Sequence, residues 1–377
     1  VQLHVLAQWL TDAQIAEVAA STGARGCRLM LDLPIGCHRD GYDTWAFPSS
    51  FAGEASDIDA GHGVSVGAPP DRFFGNGQDW GFRPLDPEGE RCSGYPVVRG
   101  ALSHLLRHAG ALRIDHILGV QRLWWIPAGA SPSDGAYVAY PAEELVALAC
   151  LEAWRRDAVL IGEDLGTVDP CVRRLMADHG IAGMEVGVFD LESRPGQKLD
   201  PPAGACALVD THDTATFAAW LDGTDIGQRL ELGLLDSETA ARARVVRSAA
   251  TRPLVRRLTG GVGDAAAVHA AVLEELGGSD AGLVIATLED LWAEHEPQNI
   301  PGTSAEHTNF ARRMTVSLDA VENDEHLLEP LRRLDRARGG RRTPVQTTVT
   351  HDTIDHDEGA ATGEGACIPG DQGRVAS

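Results

Sequence analysis

Six short apolar runs alternate with helix-periodic segments along this chain, and the alternation leaves few folds open. The runs are Cys27 to Leu33, Ala111 to Ile117, Ala158 to Ile161, Met184 to Phe189, Cys206 to Val209 and Leu283 to Thr287. Thr11 and Gln14 resemble a capping box ahead of Ile15 and Val18, with Gly23 as a stop. Val97, Leu102, Leu105 and Leu106 stand at helical spacing. Pro141 opens a helix running to Arg155, and Asp169-Pro170 caps another that stops at Gly180. Ser237 to Leu258 and Asp264 to Leu276 read as two more. Strands joined through helices pair in parallel, because a parallel crossover needs a dozen residues or more.

Charged residues follow at least three of these strands. An open doubly wound sheet gathers its site at one switch point, whereas a barrel assembles it from many strand ends. The expectation is therefore an α/β protein of the (β/α)8 TIM-type barrel class. Six strands do not close an eight-stranded barrel, so the first one or two βα units are expected to lie upstream of Val1. Residues 1–340 should form this catalytic barrel, with a long loop insertion at about 36–95. Residues 343–377, poor in large hydrophobes, read as a disordered tail.

The formal charge of -23 repels phosphate backbones and anionic lipid heads, which argues against nucleic acid or a membrane surface as partner. A neutral small molecule or polymer is easier to accommodate. Seven scattered cysteines without a C-x-x-C pair argue against a disulfide framework or zinc site and for a reducing, cytoplasmic setting. No apolar run approaches the ~20 residues of a membrane span.

Within Ala111 to Gly119, Arg113 and Asp115 interrupt an otherwise apolar run. Burying an unpaired charge is costly, so the two should sit at a strand's end with Arg113 holding Asp115 ionised. Taken alone they could equally be an ion pair at a sheet rim. Glu163 follows the next strand with Gly162 and Gly166 nearby and no adjacent cation, which suits a raised pKa and proton donation, although a solvated turn residue fits as well. Asp213, beside His212, could hold sugar hydroxyls or simply cap a helix. Recurrence of all three in phase with the strands favours chemistry. Retaining glycosidic cleavage needs two carboxyl groups about 5 Å apart in different protonation states, one to attack and one to protonate.

Arg113-Ile-Asp-His116, Gly162-Glu-Asp-Leu-Gly166 and Thr211-His-Asp-Thr214, in this order, resemble the active-site motifs of the amylomaltases, the 4-alpha-glucanotransferases or disproportionating enzymes related to the alpha-amylases. Gly67-Ala-Pro-Pro-Asp71 and Gly77-Gln-Asp-Trp-Gly81 are similar to the loop that sets this group apart, and Asp32-Leu-Pro-Ile-Gly36, Trp125-Ile-Pro127 and Asn299-Ile-Pro-Gly302 agree with it. The resemblance implies Asp115 as nucleophile, Glu163 as general acid and base, and Asp213 as transition-state stabiliser. It also implies Arg113, His212, Gln78, Trp80, Asp71 and Asn299 as substrate-binding residues. No cofactor and no metal are implied, and the partners would be α-1,4-glucans and maltooligosaccharides.

The sequence departs from many relatives at Thr214-Ala215 and Phe310, which implies altered acceptor contacts. An α-glucan hydrolase using the same carboxylates, or a truncated fragment without turnover, are the alternatives. The group His351, Asp352, Asp355, His356, Asp357 and Glu358 offers metal ligands, but no flanking elements would fix their geometry.

Overall fold

The structure, a computed structural model, describes residues 1–53, 63–70, 75–303 and 307–339. Two compact units divide it, Val1–Gly183 and Met184–Val345. In chain order the first holds β1 (Leu29–Leu33), β2 (Val64–Ala68), β3 (Gln78–Asp79), β4 (Ala109–Ile114), β5 (Arg122–Pro127), β6 (Ala136–Ala139), β7 (Val159–Gly162) and the first two residues of β8 (Ala182–Val186).

Strands covered by helices are apolar on both faces, and that is how β4 and β7 read. Leu112 and Leu160 are fully buried, among Leu102 and Leu106 of the helix Pro96–Leu106, Val146 and Ala153 of Ala142–Arg155, and Val172 and Leu175 of Pro170–Asp178. Each such side chain contributes ~1.5–3 kcal/mol, so truncating Leu112 to Ala should cost this layer ~2–5 kcal/mol. β1, β4, β7 and the start of β8 pair in parallel, with Asp32 opposite Arg113, Ile114 opposite Gly162, and Gly162 opposite Gly183. The cap at Asp169 forms as expected: its carboxylate accepts the Cys171 N–H at 2.9 Å, with Pro170 in the first turn.

Three local expectations change. The first helix spans Gln2–Gly23, so Thr11 lies inside it, and its hydroxyl bonds back to the Ala7 carbonyl at 2.9 Å instead of capping a helix. The insertion at 36–95 is not irregular throughout. β2 pairs antiparallel with β3 and with β5, and β5 with β6, in the order β3-β2-β5-β6. Val66 and Ile126 are buried on opposite faces of this sheet, Val66 standing opposite Trp125 and Ile126 opposite Ser65, and Gly67 is required beside Ile126, since a Cβ there would lie 2.0 Å from the Gln78 carbonyl oxygen. Glycines and prolines around these short strands hid the period of two. Finally, the strand expected over Met184 to Phe189 ends at Val186 and a helix, Gly187–Ser193, follows. Short apolar runs do not distinguish the two by periodicity, and burial of Val188 and Leu191 serves the helix equally well.

In the second unit Met184–Val186 of β8 runs parallel to β9 (Cys206–Leu208), and β9 to β10 (Leu283–Ile285). All six expected parallel strands thus exist. The helices Ser237–Thr259 and Ala265–Gly277 are capped by Asp236 and Asp264, which accept the Thr239 and Ala267 N–H groups at 2.6 and 2.9 Å. The tail 343–377 lies outside the described residues, as does Asp71.

Candidate active site

In the first unit the register of β1 and β4 puts a carboxylate beside a guanidinium. Arg113 Nη1 donates to both oxygens of Asp32 at 2.8 and 2.7 Å, and Nη2 to Asp115 Oδ1 at 2.9 Å. The arginine side chain is only 12% exposed, and it stays charged because its two carboxylates outweigh the burial. Asp115 continues the pairing one residue past β4, its N–H donating to the Leu33 carbonyl at 3.0 Å. The chain then turns through His116, whose φ of 46° lies in the left-handed region. That turn directs the His116 N–H onto Glu163 Oε2 at 2.9 Å.

Glu163 follows β7 and is held on both sides. Its N–H donates to the Ile114 carbonyl at 2.9 Å, its own carbonyl accepts the Ile117 N–H at 3.0 Å, and Oε1 accepts the Leu165 N–H at 2.8 Å. Burial raises its pKa above the usual 4.5, the negative charge of Asp115 adds to this, and the Leu165 and His116 N–H groups and Arg113 pull the other way without cancelling it. Burial also depresses the His116 imidazole, which is therefore neutral near pH 7. The Trp80 ring meets that imidazole edge-on at 5.4 Å, and the Phe82 ring lies 6.1 Å from Trp80.

In the second unit the turn after β9 carries the third carboxylate. Thr214 N–H donates to the Thr211 carbonyl at 3.1 Å and the Thr211 N–H donates to Thr214 Oγ1 at 2.9 Å. Asn299 Nδ2 donates to Asp213 Oδ1 at 2.6 Å, and His212 Nε2 lies 3.3 Å from Asp213 Oδ2. Both side chains are 47% exposed, and the Phe310 ring lies 6.0 Å from that of His212.

The expected residues thus fall into two groups, each within one unit: Arg113, Asp115, Glu163 and Trp80 in the first, His212, Asp213 and Asn299 in the second. Gln78 stands half-buried on β3, and its backbone pairs with Ala68. Two participants were not foreseen. Asp32 is the bidentate partner of Arg113, and the apolar run around it carried the same signal that marked Arg113. His116 supplies the backbone N–H that holds Glu163, a role invisible without its left-handed φ. Among the described residues no group of three His, Cys, Asp or Glu could hold a metal ion, and the group around His351 lies outside them.

Parallel β/α units, with an ion-paired carboxylate after one strand and a buried glutamate of raised pKa after the next, have the layout of a retaining glycosidic enzyme. The comparisons place the chain more closely. It belongs to the 4-alpha-glucanotransferase family, whose sequence model matches residues 1–318. It is 36% identical over 345 residues to a 4-alpha-glucanotransferase of Mycobacterium bovis, covering 88% of this chain and 46% of that one. The enzyme of the same name from Haemophilus influenzae is 29% identical over 343 residues, with 87% and 48% covered. The amylomaltase structure from Corynebacterium glutamicum superposes with a TM-score of 0.75 at 29% identity, covering 88% of this chain and 49% of that one. Amylomaltase from Streptococcus agalactiae in complex with acarbose has the same fold, with a TM-score of 0.70 at 21% identity and 89% and 62% covered. The fold is accordingly of the (β/α)8 class expected. The chain spans about half the length of the relatives it matches.

Proposed function

We propose that this chain carries the catalytic carboxylates of a retaining 4-alpha-glucanotransferase. Asp115 attacks the anomeric carbon of an α-1,4-glucan while Glu163 gives its proton to the departing 4-oxygen. The glucosyl ester so formed on Asp115 is released when Glu163, now a carboxylate, takes the proton from the 4-hydroxyl of a second glucan or of glucose. Asp213, His212 and Asn299 hold sugar hydroxyls and favour the positively charged transition state. Trp80 and Gln78, with Asp71, offer an aromatic face and polar groups to the chain of the glucan. No metal or organic cofactor enters these steps.

One observation carries the reading. Burial raises the proton affinity of Glu163 while two backbone N–H groups fix its carboxyl beside the Arg113–Asp115 ion pair. One group is thus ready to give a proton where another is ready to attack. The acidic charge and the cysteines not joined in disulfides among the described residues fit maltodextrin metabolism in the cytoplasm, with neutral maltooligosaccharides as partners. No helix among the described residues is long and apolar enough to cross a membrane.

Maltotriose supplied alone tests it. Transfer yields a ladder of longer and shorter maltodextrins with almost no growth in reducing ends. Rising reducing ends without a ladder would mean that water, not a sugar hydroxyl, is the acceptor, and the transferase reading would be lost.

A further inference from the structure

The deepest ionisable groups of the second unit are absent from the steps above. Asp210 lies just beyond β9, Asp290 in the turn Glu289–Trp292 after β10, and His269 on the helix Ala265–Gly277; each is 1% exposed. The two carboxyls are in hydrogen-bonding contact. Each also takes one ordinary donor: Thr287 Oγ1 to Asp210 Oδ1 at 2.7 Å, and the Phe217 N–H to Asp290 Oδ1 at 3.0 Å. Their Oδ2 atoms are left without a donor, and both ring nitrogens of His269 without a hydrogen-bond partner. His269 Nε2 stands 3.6 Å from Asp290 Oδ2, too far for a hydrogen bond.

Two touching, buried carboxylates without a cation cannot both be charged. Among the described residues, the other titratable groups facing them are Glu289, whose negative charge adds to the repulsion, and His269, which burial keeps neutral down to about 4. A single proton between the carboxyls removes one charge and supplies the missing donor. Burial and the charge of Asp210 accordingly raise Asp290 to about 9.

The placement of the pair gives it a task. The segment 211–216 carries His212 and Asp213 and is bounded by Asp210 at one end and by Phe217 at the other. Asp210 is itself one half of the pair, and the Phe217 N–H is bound by the other half. We propose that Asp210 and Asp290 share one proton and form a positioning pair that locks both ends of this turn, so that Asp213 is presented correctly only while the proton is held. The proposal rests on the sugar-stabilising role given to Asp213 above.

The test uses the full chain and two readouts between pH 7 and 10. One is protection of the 211–217 amides from hydrogen exchange, corrected for the intrinsic pH dependence. The other is kcat and KM with α-maltosyl fluoride as donor, so that loss of the Glu163 proton from the leaving-group step does not enter. In the unaltered protein, protection and kcat should fall together by at least tenfold as the pair loses its proton, with KM changing less. In Asp290→Asn an amide N–H replaces the shared proton and cannot titrate, so both quantities should persist to pH 10. Asp210→Asn should do the same from the other side, which keeps the test open if one variant folds poorly. Asp290→Ala should show low protection throughout.

An alkaline fall unchanged in both Asn variants would overturn the proposal, as would full protection in Asp290→Ala. Protection that follows the pair while kcat does not would leave a structural pair and overturn the positioning role. Absence of glucan transfer at every pH, with protection behaving as stated, would instead sink the functional reading on which that role rests.

Discussion

Replacing Glu163 by Gln separates proton donation from everything else this residue does. The side chain now accepts the Leu165 N–H at 2.8 Å and the His116 N–H at 2.9 Å, one on each oxygen. Gln keeps one of these acceptors and turns an NH2 toward the other donor, so the structural cost is one unmet hydrogen bond, ~1–3 kcal/mol. A chain with the usual ~5–15 kcal/mol of stability remains folded at 25 °C after that loss. The chemical cost is larger: general acid–base catalysis is worth ~10²–10⁴ in rate, and at 1.36 kcal/mol per decade this is ~3–5 kcal/mol of transition-state energy. Maltotriose disproportionation should fall by that factor while the melting temperature drops by only a few degrees. α-Maltosyl fluoride discriminates further, because fluoride departs without a proton. Glu163→Gln should release a burst of fluoride equal to the enzyme concentration at a first-turnover rate close to that of the unaltered protein. It should then stall as a maltosyl ester, detectable by mass spectrometry on the peptide containing Asp115, since no base remains for the acceptor. Equal losses on both donors, or an adduct on any other residue, would refute the assignment.

Asp115→Asn removes the attacking charge and little packing, so turnover should fall by ~10³ or more with stability nearly unchanged; retention of a tenth of the rate would exclude it as nucleophile. Asp32→Asn weakens the grip on Arg113, now made through two bonds of 2.8 and 2.7 Å, and should lower kcat/KM about tenfold, corresponding to ~1.4 kcal/mol. For His269 the folded pKa is depressed by burial from 6.5 to about 4. Its neutral form therefore contributes stability in full above 6.5, and that contribution is lost as the pH falls toward 4. Thermal melts at pH 7 and 5 should differ less in His269→Gln than in the unaltered protein; an identical difference in both would contradict this.

The parallel scaffold was legible because buried strands need continuous apolar runs and helices need caps, and both are local signals. Cys206 to Leu208 and the Asp169 cap are cases of each. What stayed hidden depended on partners far away in the chain. β2 owes its place to β5, about 60 residues on, and nothing in Val64–Ala68 alone announces that pairing. Arg113 and Asp115 were visible for the reason that β2 was not: a charge within an apolar run is an anomaly that local reasoning detects. Asp32 carries the same anomaly, yet its meaning lies in the register with Arg113, which only the folded sheet provides. The Asp210–Asp290 contact is likewise tertiary.

The two groups of residues also differ in a way that matches the work proposed for them. Asp115 and Glu163 must form and break bonds, so they need fixed geometry and, for Glu163, an altered proton affinity; the first unit provides both through backbone N–H groups and burial. Asp213 exchanges no proton and need only present a charge. It is half-exposed, and the side chains of Asn299 and His212 lie on its carboxylate. Its position also follows the turn that bears it, whose Thr211 hydroxyl accepts the Asp213 N–H at 3.2 Å. That requirement is what gives two buried acids at the ends of residues 211–216 a function, where an apolar pair would pack as well and cost less to bury. Replacing both with Leu removes the buried charge but leaves the Phe217 N–H and the Thr287 hydroxyl without these acceptors, so stability should change little while kcat falls by about tenfold or more. A double variant as active as the unaltered chain would show that packing alone sets the turn.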